Sequence, residues 1–207
     1  MNKLLVLFLV FLSFSKLMSG QDTLITTEGD RLLIKDFKQA GNECFYLNSK
    51  GSEKEIDIDD VFSLRDSLGK ETIYYKQDTI KGFYDTQDEM KQYIEGMLAA
   101  KKEYKSPLTT RLGAGIAFTG AIVSVTLFPG FLFWTPLIPV GYTAIVLKSR
   151  PEVVKITQSI PEPLRTEKYI TGYVTQVKKK RVNNAIMGSI AGLVTGWVVF
   201  FAINSIK

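Results

Sequence analysis

Charged side chains are absent from three stretches of this chain, at residues 4–14, 112–147 and 182–204. A soluble core distributes its apolar residues at a period of 2 or 3.6, whereas a helix that crosses about 30 Å of hydrocarbon needs about 20 apolar residues in a row. The pattern therefore predicts an export segment at the N-terminus and two transmembrane segments, over residues 109–147 and 182–204.

Residues 1–20 have the three-part layout of a secretory signal peptide. Lys3 supplies a positive start, residues 4–14 form the apolar run, and the small residues Ser19 and Gly20 precede a polar segment. We predict cleavage near Gly20, with an uncleaved N-terminal anchor as the alternative. The segment predicts that the domain after it is exported.

Short runs of β-forming residues alternate with turn residues over residues 21–84. Polar and apolar residues alternate strictly at residues 55–58, as in a half-buried strand. The predicted strands cover residues 23–27, 31–37, 44–47, 55–58, 61–64 and 72–75. Six strands in so short a segment indicate a small exported β-rich domain, either an SH3-like barrel or a twisted sheet.

An amphipathic junction helix is predicted within residues 85–106. Thr86 and Glu89 have the spacing of a capping box, in which each side chain bonds the other residue's backbone N–H. The apolar residues that follow recur mostly three and four positions apart, and Pro107 ends the pattern. We expect this helix to pack on the sheet, with a position on the membrane surface as the alternative.

The first uncharged stretch, residues 112–147, is too long for one straight crossing. Pro129, Pro136 and Pro139 offer places to break it, so it forms either one bent crossing or a helical hairpin about Pro129 and Gly130. Lys178, Lys179, Lys180 and Arg181 directly precede the last segment, within a basic loop over residues 148–181, and are interpreted as a cytoplasmic topology anchor. An exported domain and a cytoplasmic anchor require an odd number of crossings between them, which favours the single bent crossing.

Small residues recur four positions apart in both transmembrane segments, at Gly113, Ala117 and Ala121 and at Gly188, Gly192 and Gly196. Residues four apart lie on one helix face, and small side chains allow close helix packing in lipid. These faces are predicted to pack against each other within one chain, with glycine-zipper self-association between chains as the sharper hypothesis.

The composition excludes several kinds of catalytic and disulfide site. The chain of 207 residues has no histidine, and Cys44 is its single cysteine, so it lacks the commonest general base and cannot form an intrachain disulfide. Its net charge of +5 divides into −5 over residues 21–105 (13 basic, 18 acidic) and +6 over residues 148–181 (9 basic, 3 acidic). The acidic run at residues 53–60 and the Ser67 to Lys70 spacing are interpreted as a solvated strand face and a turn. No catalytic, metal or cofactor site is predicted.

The residues from Tyr93 to Tyr104 resemble a Tyr-Ile-x-Gly-x-x-Asp-Ala-x-x-x-Tyr helix motif of uncharacterised Bacteroidota-type envelope membrane proteins. Those proteins pair an exported β-rich domain with this helix, a Pro-broken hydrophobic segment, a Tyr-x-x-Gly-Tyr stretch and a final hydrophobic helix. Tyr169, Gly172 and Tyr173 match that stretch, whereas Ala99 stands where the family has Asp. The resemblance implies a bacterial envelope setting and no activity. Together with the signal peptide and the hydrophobic segments it predicts a location in the bacterial inner (cytoplasmic) membrane, with the N-terminal domain in the periplasm.

The sequence thus predicts an α+β membrane protein with a small exported β-rich domain, one amphipathic helix and Gly-rich transmembrane helices. The expected function is non-enzymatic: the exported domain binds an envelope protein partner or a wall component while the helices anchor it in membrane lipid. The alternative is an oligomeric Gly-zipper-like membrane protein that conducts or remodels lipid. Nucleic acid is not an expected partner.

Overall fold

The computed structural model describes residues 21–127, 134–149 and 151–205, so the predicted signal peptide and the predicted turn at Pro129 and Gly130 lie outside the described residues. The chain divides into two compact units, residues 1–90 and residues 91–207. A small antiparallel sheet in the first and helices in the second confirm the predicted α+β class.

The first unit contains a six-stranded antiparallel sheet. Its strands are β1 (Asp22–Thr26), β2 (Arg31–Ala40), β3 (Glu43–Asn48), β4 (Glu53–Asp57), β5 (Val61–Arg65) and β6 (Glu71–Ile73). The order β4-β3-β2-β1-β5-β6 follows from consecutive hairpins, with β5 returning beside β1. All six predicted strands are confirmed, and the order leaves β4 and β6 at the two ends of the sheet.

Three fully buried side chains, Leu24, Ile34 and Val61, form the centre of the sheet's core. Leu24 pairs with Leu32 on one side and with Leu64 on the other, so the three central strands contribute together. Burial of each aliphatic side chain stabilises the fold by roughly 1.5–3 kcal/mol. The apolar residues of the period-2 alternation thus lie on one face of the sheet and pack together there.

The second unit is helical. Its elements are α1 (Gln87–Glu103, which begins in the first unit), α2 (Pro107–Leu127), α3 (Leu137–Lys148), α4 (Val153–Ser159) and α5 (Glu167–Asn204). The capping box of α1 is confirmed: the Thr86 N–H donates to Glu89 Oε2 at 2.9 Å, and the Glu89 N–H donates to Thr86 Oγ1 at 3.3 Å. At the other end of the chain, Thr166 Oγ1 accepts from the Tyr169 N–H at 3.3 Å and caps α5.

Helix α1 packs on α5 through its second half. Ala100 is fully buried in a cluster with Tyr169, Tyr173 and Val177 of α5 and Ile160. The prediction that this apolar face packs on the sheet is therefore wrong for the turn around Ala100. The periodicity of α1 identified a buried face, but the surface that covers it comes from residues about 70 positions further along the chain.

Helices α2 and α3 form an antiparallel hairpin. The Tyr142 hydroxyl donates to the Thr109 carbonyl at 3.0 Å near the start of α2, and Ile138 lies against Gly120 further along it. Residues 137–148 return along α2, as in the hairpin alternative, and do not bend away from it as in the preferred prediction of one bent crossing over residues 112–147. The number of membrane crossings stays a prediction. An uncharged run of that length can pack against itself, because α3 finds apolar partners on α2 and α5.

Helix α5 runs beside α2 in the same direction. Gly188 lies against Thr110 near the start of α2, and Gly196 lies against Phe118, two turns further on. Within the described part of the chain, α5 is the one helix long and apolar enough to cross a membrane, by length and composition. Of its most apolar 18-residue window, 28% is buried within the chain.

Candidate functional site

The six small residues singled out in the sequence meet at the α2–α5 interface. Gly113, Ala117 and Ala121 are buried on α2, and Gly188, Gly192 and Gly196 are buried on α5. A Cβ atom at Gly188 or Gly192 would lie closer than 3.0 Å to the backbone of Thr110 or Ala114. The glycines therefore contact the backbone of a neighbouring helix in the same chain.

The four consecutive basic residues before the last segment divide into two pairs. Lys180 Nζ donates to the carbonyls of Lys101 (2.5 Å) and Tyr104 (2.9 Å), at the C-terminal end of α1. Arg181 Nη2 donates to Ser149 Oγ at 3.0 Å, directly after α3. Lys180 thus connects α5 to the C-terminal end of α1, where a cation pairs with the terminal carbonyls and complements the helix dipole. Arg181 connects α5 to the residue that follows α3.

Lys178 and Lys179 are exposed and line a surface groove of about 420 Å³ beside the end of α3. Leu147 of α3 and Val182, Asn183 and Ile186 of α5 line it further. Sequence spacing indicates the α5 part of this groove, because residues four apart lie on one face. Leu147 carries no such signal, since only the hairpin brings α3 back to α5.

Several polar contacts lie at one end of the helical unit. Asn184 Nδ2 donates to Ser106 Oγ at 2.9 Å, so the residue before α2 lies beside the same part of α5 as Ser149. At the opposite end, Trp197 Nε1 donates to Thr135 Oγ1 at 3.2 Å. Residues 106, 149 and 181 therefore share one end of the unit, which we call the basic end.

Between its two ends the helical unit exposes a broad apolar surface. On α2 and α3 the exposed side chains are Leu112, Ile116, Val123, Leu137, Val140, Ile145 and Leu147. On α5 they are Ile186, Met187, Ile190, Val194, Val198, Phe201 and Ile203. Large exposed apolar patches are typical of surfaces that contact lipid or another protein.

The β-rich unit contains a partly enclosed cavity of about 330 Å³. Lys81 Nζ contacts Asp59 Oδ2 at 2.6 Å at its rim, and Tyr74, Tyr75 and Phe83 contribute aromatic walls. The hydrogen bond to the Asp59 carboxylate raises the pKa of Lys81 above its ordinary value. The sequence indicated only an acidic run here, and the pairing of Asp59 with a lysine 22 residues away is a tertiary feature.

The other acidic residues and the Ser67 to Lys70 segment have structural partners. Asp57 Oδ1 accepts from the Asp59 N–H at 2.9 Å, and Asp66 Oδ1 accepts from the Lys70 N–H at 2.8 Å and so closes a turn. Among the described residues, no group of three or more His, Cys, Asp or Glu side chains is arranged to hold a metal ion. Comparison of the chain with protein families, with curated proteins and with solved structures finds no match.

Proposed function

We propose that this chain is a non-enzymatic membrane protein of the bacterial cell envelope. Its helical unit anchors it in the lipid bilayer, and its β-rich unit binds an envelope protein or a wall component. One observation carries the proposal: the apolar side chains of α2, α3 and α5 that face away from the helix contacts are exposed over both uncharged stretches. In water this surface would cost about 25 cal/mol for each Å² left exposed, whereas in lipid it costs nothing.

The length of α5 supports this proposal. The uncharged residues 182–204 of α5 extend about 35 Å, which matches a hydrocarbon core of about 30 Å. Arg111 lies in the second turn of α2, so the uncharged residues 112–127 of that helix extend about 24 Å, which is shorter than the hydrocarbon core. The 12 residues of α3 extend only about 18 Å, so α3 returns to the basic end by packing in the groove between the two longer helices.

The hairpin determines the orientation that we propose. Residues 106 and 149 share the basic end, so the chain before α2 and the loop after α3 face the same side of the membrane, and the C-terminus faces the other. The predicted signal peptide directs residue 21 outward, which places residues 148–181 outside as well. This placement opposes the positive-inside bias, which acts on loops of this length and on which the interpretation of residues 178–181 as a cytoplasmic anchor rests. The reporter fusion at residue 165 decides between the two placements.

The cavity beside Asp59 and Lys81 is the place where we propose that the β-rich unit binds its partner. It combines an ion pair with three aromatic rings, and the rest of its lining is largely polar, which suits a partner that offers polar groups. The alternative, a glycine-lined oligomer that conducts or remodels lipid, draws no support from the contacts. Gly188, Gly192 and Gly196 face α2 of the same chain.

Reporter fusions at residues 80, 165 and 207 test the orientation. Alkaline phosphatase should be active at 80 and 165 and inactive at 207, with the inverse result for a fluorescent protein that folds only in the cytoplasm. Opposite results at 80 and 165 would eliminate the hairpin topology. Cytoplasmic signals at both positions would contradict export while leaving the hairpin intact.

A pair of substitutions tests whether the exposed surface of α5 contacts lipid. Val194 on α5 and Leu33 on β2 are similarly exposed, at 51% and 54%. Val194→Lys should cost on the order of 2.5–3.5 kcal/mol of insertion free energy and reduce the fraction that resists carbonate extraction. Leu33→Lys should leave that fraction unchanged. Equal extraction of both variants and the wild type would count against a lipid-facing α5.

A further inference from the structure

The groove beside the end of α3 has a polar upper part and an apolar lower part. Lys178, Val182 and Ile186 are four residues apart and form one ridge of α5, while Lys179 and Asn183 form the adjacent ridge. Leu147 of α3 forms the opposite wall. From Lys178 to Ile186 the groove descends about 12 Å along the helix, from ammonium groups to aliphatic side chains.

Charge in this groove has one sign. The described residues that line it include two lysines and no acidic side chain. Lys180 and Arg181 lie beside it and add positive charge nearby, where they donate to the carbonyls at the end of α1 and to Ser149. A ligand that complements this groove therefore has an anionic head and an apolar body.

The groove also lies at the level where the uncharged part of α5 begins. Residues 182–204 carry no charge, and Lys178 and Lys179 directly precede them. In the membrane orientation described above, this is the boundary between headgroups and acyl chains, where lysine side chains contact lipid phosphates.

We infer that this groove is a binding site for one anionic phospholipid, whose phosphate contacts Lys178 and Lys179 and whose acyl chain lies along Val182, Ile186 and Leu147. The inference rests on the proposed membrane function and adds a specific ligand class to it. Asn183 offers an amide group for hydrogen bonds to the glycerol or headgroup oxygens. Two cationic side chains above an apolar slot select a charged lipid over a zwitterionic one, because each lysine near an anionic lipid phosphate contributes favourably.

The test uses the full-length chain in neutral detergent, titrated with dioctanoyl phosphatidylglycerol or dioctanoyl phosphatidylcholine, with bound lipid counted by native mass spectrometry. The wild type should bind phosphatidylglycerol at least about tenfold more tightly, and Lys178→Gln with Lys179→Gln should weaken binding by about fivefold for each lysine removed. Lys35→Gln with Lys38→Gln removes the same charge from exposed positions on β2 and should change nothing. Ile186→Trp, which fills the lower groove without a charge change, should also weaken binding.

Unchanged phosphatidylglycerol affinity in the Lys178→Gln, Lys179→Gln variant would overturn the site. Displacement of the lipid by an equal concentration of inorganic phosphate would overturn it too, since the acyl chain would then contribute nothing. Carbonate extraction of native membranes separates the two proposals. If the chain resists extraction but shows no preference for phosphatidylglycerol, only the proposed lipid site is wrong. If the chain is extracted but keeps the preference, only the proposed membrane anchor is wrong.

Discussion

Gly96 of α1 lies against α5, and Gly172 of α5 lies against α1, at the point where the two helices cross. A Cβ atom at Gly96 would come closer than 3.0 Å to the Tyr169 carbonyl oxygen, and one at Gly172 would come equally close to the Tyr93 carbonyl oxygen. Each glycine thus admits the backbone of the other helix. This close approach of the two backbones gives a physical reason for glycine at both positions.

Gly96→Leu should destabilise the helical unit by about 3 kcal/mol, because a side chain at this crossing forces the helices apart. Thermal unfolding in detergent, followed by circular dichroism, measures the loss. Gly115→Leu is the matched control, since a Cβ at Gly115 on α2 meets open space. Equal melting temperatures for the two variants would show that the crossing does not require glycine.

Thr86→Ala should cost about 1 kcal/mol, because it removes the side-chain oxygen that caps α1 and leaves a backbone N–H unpaired. Hydrogen exchange of the amides at residues 87–90 should accelerate, while exchange in β2 stays unchanged. Thr79→Ala, at an exposed position in the preceding turn, is the comparison. If both substitutions left the exchange of α1 at the wild-type rate, the capping box would contribute nothing.

Lys180→Gln should destabilise the helical unit by about 1 kcal/mol, because the cation that contacts two carbonyls at the end of α1 is lost. Lys178→Gln, two positions earlier and exposed, should leave the unfolding midpoint in denaturant unchanged. The pair separates a structural basic residue from one that we assign to lipid. A larger loss from Lys178→Gln would reverse that assignment.

Ser189→Ala should stabilise the α2–α5 interface by about 1 kcal/mol. In the described part of the chain, Ser189 Oγ is fully buried without a hydrogen-bond partner, and an unsatisfied buried hydroxyl is costly. Ser149→Ala should have the opposite sign, since Ser149 Oγ accepts from Arg181 and donates to the Val146 carbonyl. Thermal unfolding of both variants in one detergent provides the measurement, and a destabilised Ser189→Ala would reveal a partner for that hydroxyl.

The stability of the β-rich unit should fall as the pH rises above about 9. Burial, and then the nearby Asp57 carboxylate, raise the pKa of the Cys44 thiol above its ordinary value of 9.0. The folded state therefore holds this proton more tightly than the unfolded state. The stabilisation is complete below the unfolded pKa and is lost as the pH rises through the folded one.

Denaturant unfolding at pH 7, 8.5 and 10 measures how steeply the free energy of unfolding falls with pH. Comparison with Cys44→Ala isolates the contribution of the thiol to that slope. The Lys81 ion pair with Asp59 and the raised pKa of Tyr74 act in the same direction, so the wild type and the variant must be compared at each pH. The slope should be shallower in Cys44→Ala. Identical slopes for the wild type and Cys44→Ala would mean that folding does not raise the pKa of the thiol.

Local elements followed from the sequence because their causes are local. The six strands reflect alternation and turn residues, and α1 begins at Thr86 because a capping box needs only four consecutive residues. The uncharged stretches identified the segments that form α2, α3 and the apolar part of α5. The four-residue spacing of small residues identified the faces of α2 and α5 that meet.

Only the tertiary structure decided how these elements combine. The sequence left two paths for residues 112–147, and charge favoured the single bent crossing. The packing of α3 back on α2 depends on contacts such as Tyr142 with Thr109, 33 residues apart. Likewise, four adjacent basic residues appear equivalent until Lys180 meets Tyr104, 76 residues away. Hydrophobic period and caps specify which surface is buried, but packing between distant segments specifies what buries it, and that information is not local.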